Sequence, residues 1–162
     1  MEAAPSAEPK DTSRAINKLS ELPDLVAVYL SSFPDKALAK MSPDDFSVTE
    51  HICHLRDLEL EGYLSRIQRI LAEDNPQLPD FEGGRIAKER DYNSQDAADA
   101  LRTFKSAREE SIRLLRSLGD RQLEKTGNLS GVGSVSIREL ISLMLEHDHA
   151  HVNELSELVK HF

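Results

Sequence analysis

The sequence predicts an all-α protein, a four-helix bundle with long crossover connections. Two observations carry this: four segments repeat apolar residues at helical spacing, and two long stretches rich in glycine or proline separate the later ones. A third is compositional, since 5% aromatic residues and few β-branched runs disfavour a β-rich fold. At 162 residues the chain is one domain's worth and long enough to bury a core.

Residues 1–12 read as a flexible segment and 13–162 as a single helical domain. The first helix is expected over 13–32, capped by Asp11, Thr12 or Ser13 and stopped by Pro34. Pro23 should kink it or split it near Glu21 and Leu22. After a connection over 34–45, Ser47 and Glu50 form a capping box for a second helix that runs to about Glu73, before Asn75 and Pro76.

Residues 77–92, with Pro79 and the Gly83-Gly84 pair, read as a long connection crossing the bundle. Asn93 or Ser94 caps a third helix whose stripe is Ala97, Leu101, Phe104, Ile112, Leu115 and Leu118, and Gly119 ends it. A second connection, 120–135, carries Gly127, Gly131 and Gly133 and leads to a fourth helix from Ser136.

The fourth helix carries the chemistry. Its apolar stripe of Ile137, Leu140, Ile141, Met144, Leu155 and Leu158 is interrupted by His147 and His151, which share one face. Two imidazoles in core positions need partners for both nitrogens of each ring, and a shared cation or nearby carboxylates can provide them. His149 points to the opposite, solvent side. A third ligand must come from the second helix, where His51 and His54 compete; Val48, Ile52 and Leu55 place His51 slightly nearer the apolar centre, and periodicity does not choose His54.

The segment 46–55, an aromatic-Ser-x-x-Glu-x-x-x-His-Leu pattern, resembles the second helix of the DinB-like family of metal-binding four-helix bundles, which include low-molecular-weight thiol transferases. The resemblance continues through 66–71, 89–96 and 136–140 and covers the chain from about residue 14. It implies metal ligation by His54, His147 and His151. Phe46 departs from the family's usual Trp, and Glu154 stands where an amide is frequent.

The resulting expectation is a divalent-metal-dependent enzyme of hydrolase or thiol-transferase type, with zinc or nickel, or else iron, as the ion. The alternative is a non-catalytic bundle that binds a metal or a small molecule. Glu154, one turn beyond His151, is a candidate fourth ligand or general base acting in catalysis. Arg66 and Arg108 fall on apolar stripes and are candidates to grip an anionic group of a small-molecule substrate, such as a thiol; pairing with an internal carboxylate is the competing reading. Glu50 and Asp57 could orient the His54 ring, although capping and a solvated surface suit them better.

A net charge of -9 argues against a nucleic-acid partner. The longest apolar run, 25–30, is too short to span a membrane. The single cysteine, Cys53, excludes an intrachain disulfide, is read as packed and not as a ligand, and fits a reducing compartment, so the cytoplasm is the expected location. A wide apolar stripe suits a homodimer, and no residue decides it.

Overall fold

Both capping boxes form. Ser47 Oγ accepts the Glu50 amide while Glu50 Oε1 accepts the Ser47 amide, and Ser136 and Glu139 do the same at the last long helix. In the computed structural model, which describes residues 9–38 and 45–161, these boxes start two of the four helical rods. The rods are α1 (Pro9–Ser31), the continuous run α2 (Val48–Asp57), a π-helical segment (Leu58–Leu64) and α3 (Ser65–Ala72), then α5 (Ala97–Ser117) and α7 (Ile137–Val159). Each of α5 and α7 packs against both α1 and α2, which closes the bundle.

The helix α1 begins at Pro9, so residues 9–12, expected to be flexible, belong to it; residues 1–8 lie outside the described residues. The extension is held by Thr12, which is buried and whose Oγ1 accepts Arg138 Nη1 at 2.6 Å. Pro23 does not split α1. Proline there leaves the carbonyl of Leu19 without its usual helical donor, and that carbonyl accepts Arg108 Nη1 at 2.9 Å instead.

The two connections hold more structure than their composition suggested. Short strands β1 (Gln77–Leu78), β2 (Thr126–Leu129) and β3 (Gly133–Ser136) form a three-stranded sheet, with β1 parallel and β3 antiparallel to β2. Gly127 lies where a Cβ would meet Leu78 Cδ1 at 2.8 Å and Ile70 Cγ1 at 3.0 Å, so a side chain there would have to push these two core residues aside. Strands of two to four residues are too short for an alternating pattern to reveal them. Helix α4 (Gly83–Glu89) and a 3₁₀ turn (Tyr92–Ser94) complete the first connection, and Asp96, not Asn93 or Ser94, caps α5. The four-residue α6 (Asp120–Leu123) opens the second.

The buried side chains form two apolar clusters. One gathers Ile16, Leu19, Ile67, Ile70, Ile112, Leu140 and Met144, and the other Val26, Ile52, Ala100, Phe104 and Leu155. Between Phe104 and Ile112 on α5, and between Met144 and Leu155 on α7, stand the buried ions Arg108 and Asp148. Arg108 pairs with Asp148 through Nη1 at 2.8 Å and Nη2 at 3.1 Å, and with Glu59 of the π segment at 2.9 Å.

For Arg108 the structure shows the competing arrangement, pairing with internal carboxylates. Its guanidinium is 2% exposed and is committed to two carboxylates and a carbonyl. Arg108→Met strands both carboxylates in the core and is expected to destabilise the protein by about 3–5 kcal/mol, read from urea unfolding.

Candidate metal centre

The capping box at Ser47 starts α2, so that His51 and His54, three residues apart, lie on adjoining parts of the face turned toward α7. Helical spacing on α7 puts His147 and His151 opposite them. Three ring nitrogens converge: His147 Nε2 stands 3.0 Å from His151 Nε2 and 3.3 Å from His54 Nε2.

One donor hydrogen cannot satisfy that crowd. A neutral imidazole offers each Nε2 either as a donor or as a lone pair, so a single His147 nitrogen cannot make good bonds to both neighbours. With metal–nitrogen bonds of about 2.0–2.1 Å, two donors on a tetrahedral ion stand about 3.3 Å apart, close to the separations here. Among the described residues, His54, His147 and His151 form a group whose ligand atoms all lie within 4.8 Å of one another and could hold a metal ion. The residues present fit such an ion.

Burial keeps these rings neutral, as ligands must be. Desolvation lowers His54 and His147 from the ordinary 6.5 to about 4, and His151 to about 2, with neighbouring histidines adding to the effect at His147 and His151. His51 is lowered to about 4, by desolvation first and by His54 second.

Aromatic rings and one glycine fix the walls. Phe46 lies 5.5 Å from the His51 ring and 5.6 Å from the His54 ring, while Phe81 covers His54 at 5.8 Å. Gly83 opens α4 against His54: a Cβ there would meet His54 Cε1 at 2.6 Å and Nδ1 at 2.8 Å. The Tyr63 ring stands 6.2 Å from His147, and the Arg66 guanidinium lies over Tyr63 at 5.7 Å. Arg66 is buried, donates to the Pro79 carbonyl at 3.1 Å and makes no ion pair among the described residues.

The remaining candidates fall elsewhere. Glu154 is not part of the His54, His147 and His151 group; it joins His51 and His151 in a second group of possible donors, with its carboxylate 3.3 Å from His51 Nε2. His51 itself meets His151 through the two Nδ1 atoms at 2.8 Å. Glu50 serves the capping box. Asp57 is buried, not solvated, and holds Arg56, Arg90 and the Tyr92 hydroxyl. Cys53 packs in the core, where burial pushes its thiol up to about 11. His149 is exposed.

Helix packing and ring geometry together describe a four-helix bundle whose central face gathers histidines from two of its helices. The chain belongs to the DinB superfamily, whose family model matches residues 18–155. It is similar to a Halalkalibacterium halodurans protein named "putative metal-dependent hydrolase", with 27% identity over 91% of this chain and 86% of the relative. An Oceanobacillus iheyensis protein of the same name shares 25% identity over 90% of this chain and 84% of its own. Among solved structures the fold matches YfiT from Bacillus subtilis, described as a probable metal-dependent hydrolase with an unusual four-helix bundle topology. The TM-score is 0.89 at 19% identity, over 99% of this chain and 93% of that one. Among the described residues no helix is long and apolar enough to cross a membrane.

Two outcomes are expected of the metal-free protein. Because the four histidines titrate near 6.5 when unfolded and at about 4 or below when folded, the unfolded state gains protons first on acidification. Their contribution to stability is complete above 6.5 and falls as pH drops toward 4, which thermal melts across that window will read. Gly83→Ala drives a methyl into the His54 ring and is expected to cost about 1–3 kcal/mol, measured by urea unfolding.

Proposed function

We propose that this protein is a divalent-metal-dependent hydrolase of small molecules whose ion is held by His54, His147 and His151. The observation that carries the reading is the convergence of three neutral Nε2 atoms at 3.0 and 3.3 Å on a buried face. The names of the two bacterial relatives point the same way. Three protein donors leave a coordination position for a reactant, as catalytic and not structural zinc sites do.

A divalent ion bound there supplies Lewis acidity toward a carbonyl or activates a nucleophile near neutral pH, and zinc, nickel and ferrous iron all suit three imidazoles. The chain's own groups do the rest. His54, held between Phe46 and Phe81, and the α7 pair fix the donor geometry. Arg66, buried beside Tyr63 and without an ion pair among the described residues, is our candidate to receive an anionic part of the substrate by forked hydrogen bonds. The thiol-transferase reading uses the same ion with a low-molecular-weight thiol as nucleophile, and substrate screening separates the two.

The test is metal content by mass spectrometry on tag-free protein purified without added metal. About one equivalent of zinc, nickel or iron per chain is expected, falling to about zero in His147→Ala while the circular dichroism stays helical. Activated esters and amides should then be turned over by the loaded protein, with loss on chelation and recovery on readdition. Protein that takes up no divalent metal after incubation overturns the proposal.

A further inference from the structure

Behind the three converging nitrogens runs a second line of contacts. His151 uses both ring nitrogens: Nε2 faces His147 at 3.0 Å, and Nδ1 faces His51 Nδ1 at 2.8 Å. His51 in turn presents Nε2 to Glu154 Oε2 at 3.3 Å. His51 and His151 are buried, whereas Glu154 is 58% exposed.

Protons can be distributed along this line in one way that leaves His151 a ligand. A neutral imidazole that offers Nε2 as a lone pair carries its hydrogen on Nδ1. That Nδ1–H must donate to His51 Nδ1, which then accepts and so carries its own hydrogen on Nε2, the nitrogen that stands 3.3 Å from the Glu154 carboxylate in an electrostatic contact. The reversed order would put a hydrogen on His151 Nε2 and remove it from the donor set. The Glu154 carboxylate favours the first order electrostatically, because the reversed one would turn the His51 Nε2 lone pair toward its negative charge.

We infer that His51 and Glu154 are positioning residues for the metal site: through the chain Glu154–His51–His151 they hold His151 in the tautomer and orientation that a metal requires. This rests on the metal reading of His54, His147 and His151. The family resemblance assigned His54 a role and left His51 as its competitor; the geometry assigns His51 a different task, on the opposite nitrogen of the same ligand.

The inner link is the stronger. It is buried and short, whereas Glu154 opens into a cleft of about 380 Å³ lined by Asp45, Phe46, His51, Glu157 and His161, where water screens it. His51, His151 and Glu154 also form a group of donors within 4.8 Å of one another. A single ion does not explain their contacts, because His51 meets His151 and Glu154 through opposite nitrogens, and 2.8 Å is a hydrogen-bond separation shorter than the roughly 3.3 Å between ligands of one tetrahedral ion.

The experiment measures zinc affinity of the full chain by competition with a chromogenic chelator, using zinc alone as the probe. His51→Ala should bind about 10–100-fold more weakly than wild type, the usual scale for losing the partner of a ligating histidine. His51→Asn, whose amide oxygen replaces the Nδ1 acceptor, should recover to within about threefold, and Glu154→Gln should lose less than His51→Ala. Nitrogen NMR of labelled histidines in the zinc-loaded wild type should find the hydrogen on Nδ1 of His151 and on Nε2 of His51. Wild-type affinity in His51→Ala, the opposite tautomers, or a second zinc lost with His51 would each overturn the inference while leaving the three-histidine site standing. A wild type that binds no zinc overturns both. If His51→Ala does not fold, the wild-type tautomers and the affinities of His51→Asn and Glu154→Gln decide the matter.

Discussion

One guanidinium ties the bundle together. Arg108 on α5 reaches the Leu19 carbonyl on α1, Glu59 in the π segment and Asp148 on α7, so a single cation contacts all four helical rods. Such a buried group is costly to desolvate and is tolerable only when its partners are in place. Helix rotation or sliding that separated Arg108 from either carboxylate would leave a charge in the core, a far steeper penalty than a lost apolar contact. The ions therefore set the register that the apolar clusters on either side only favour.

That register bears directly on the histidines. Asp148 immediately follows His147, and Glu59 lies five residues beyond His54, so the same fixed contacts orient the two helices that supply the converging rings. The π segment contributes by its wider turn, which changes the facing of residues after Asp57 and brings Glu59 and Tyr63 inward, with Arg66 following in α3. Pro23 contributes by omission, leaving free the Leu19 carbonyl that Arg108 uses. Around the rings, Phe46, Phe81 and Gly83 are fitted so closely that the ring of His54 has little room to turn.

Local rules accounted for a good part of this. Capping boxes at Ser47 and Ser136 marked two helix starts to the residue, because the signal is a short-range exchange of hydrogen bonds. The stripe of α5 was legible at Ala97, Phe104, Ile112 and Leu115, all buried, with Leu101 and Leu118 half-buried at its edges. The sheet was not legible, since its strands are two to four residues long and carry almost no pattern of their own, and β1 finds β2 only across about fifty residues. Nor was the burial of Glu59, Asp57 and Asp148: a carboxylate reads as surface until its distant partners are known, and Arg108 lies on another helix while Arg90 and Tyr92 lie in a connection read as loop.

Spacing along the chain is enough to specify four helical rods and the shared face of His147 and His151. Helical periodicity is a property of neighbours along the chain, so it survives without knowledge of the fold. How the second helix answers that face emerges only from the packing of the helices. His51 and His54 are nearly equivalent on a wheel, yet one turns Nε2 to His147 and the other turns Nδ1 to the back of His151. The choice depends on the angle and height at which two helices meet, and those are fixed by Arg108 and its partners from all parts of the chain.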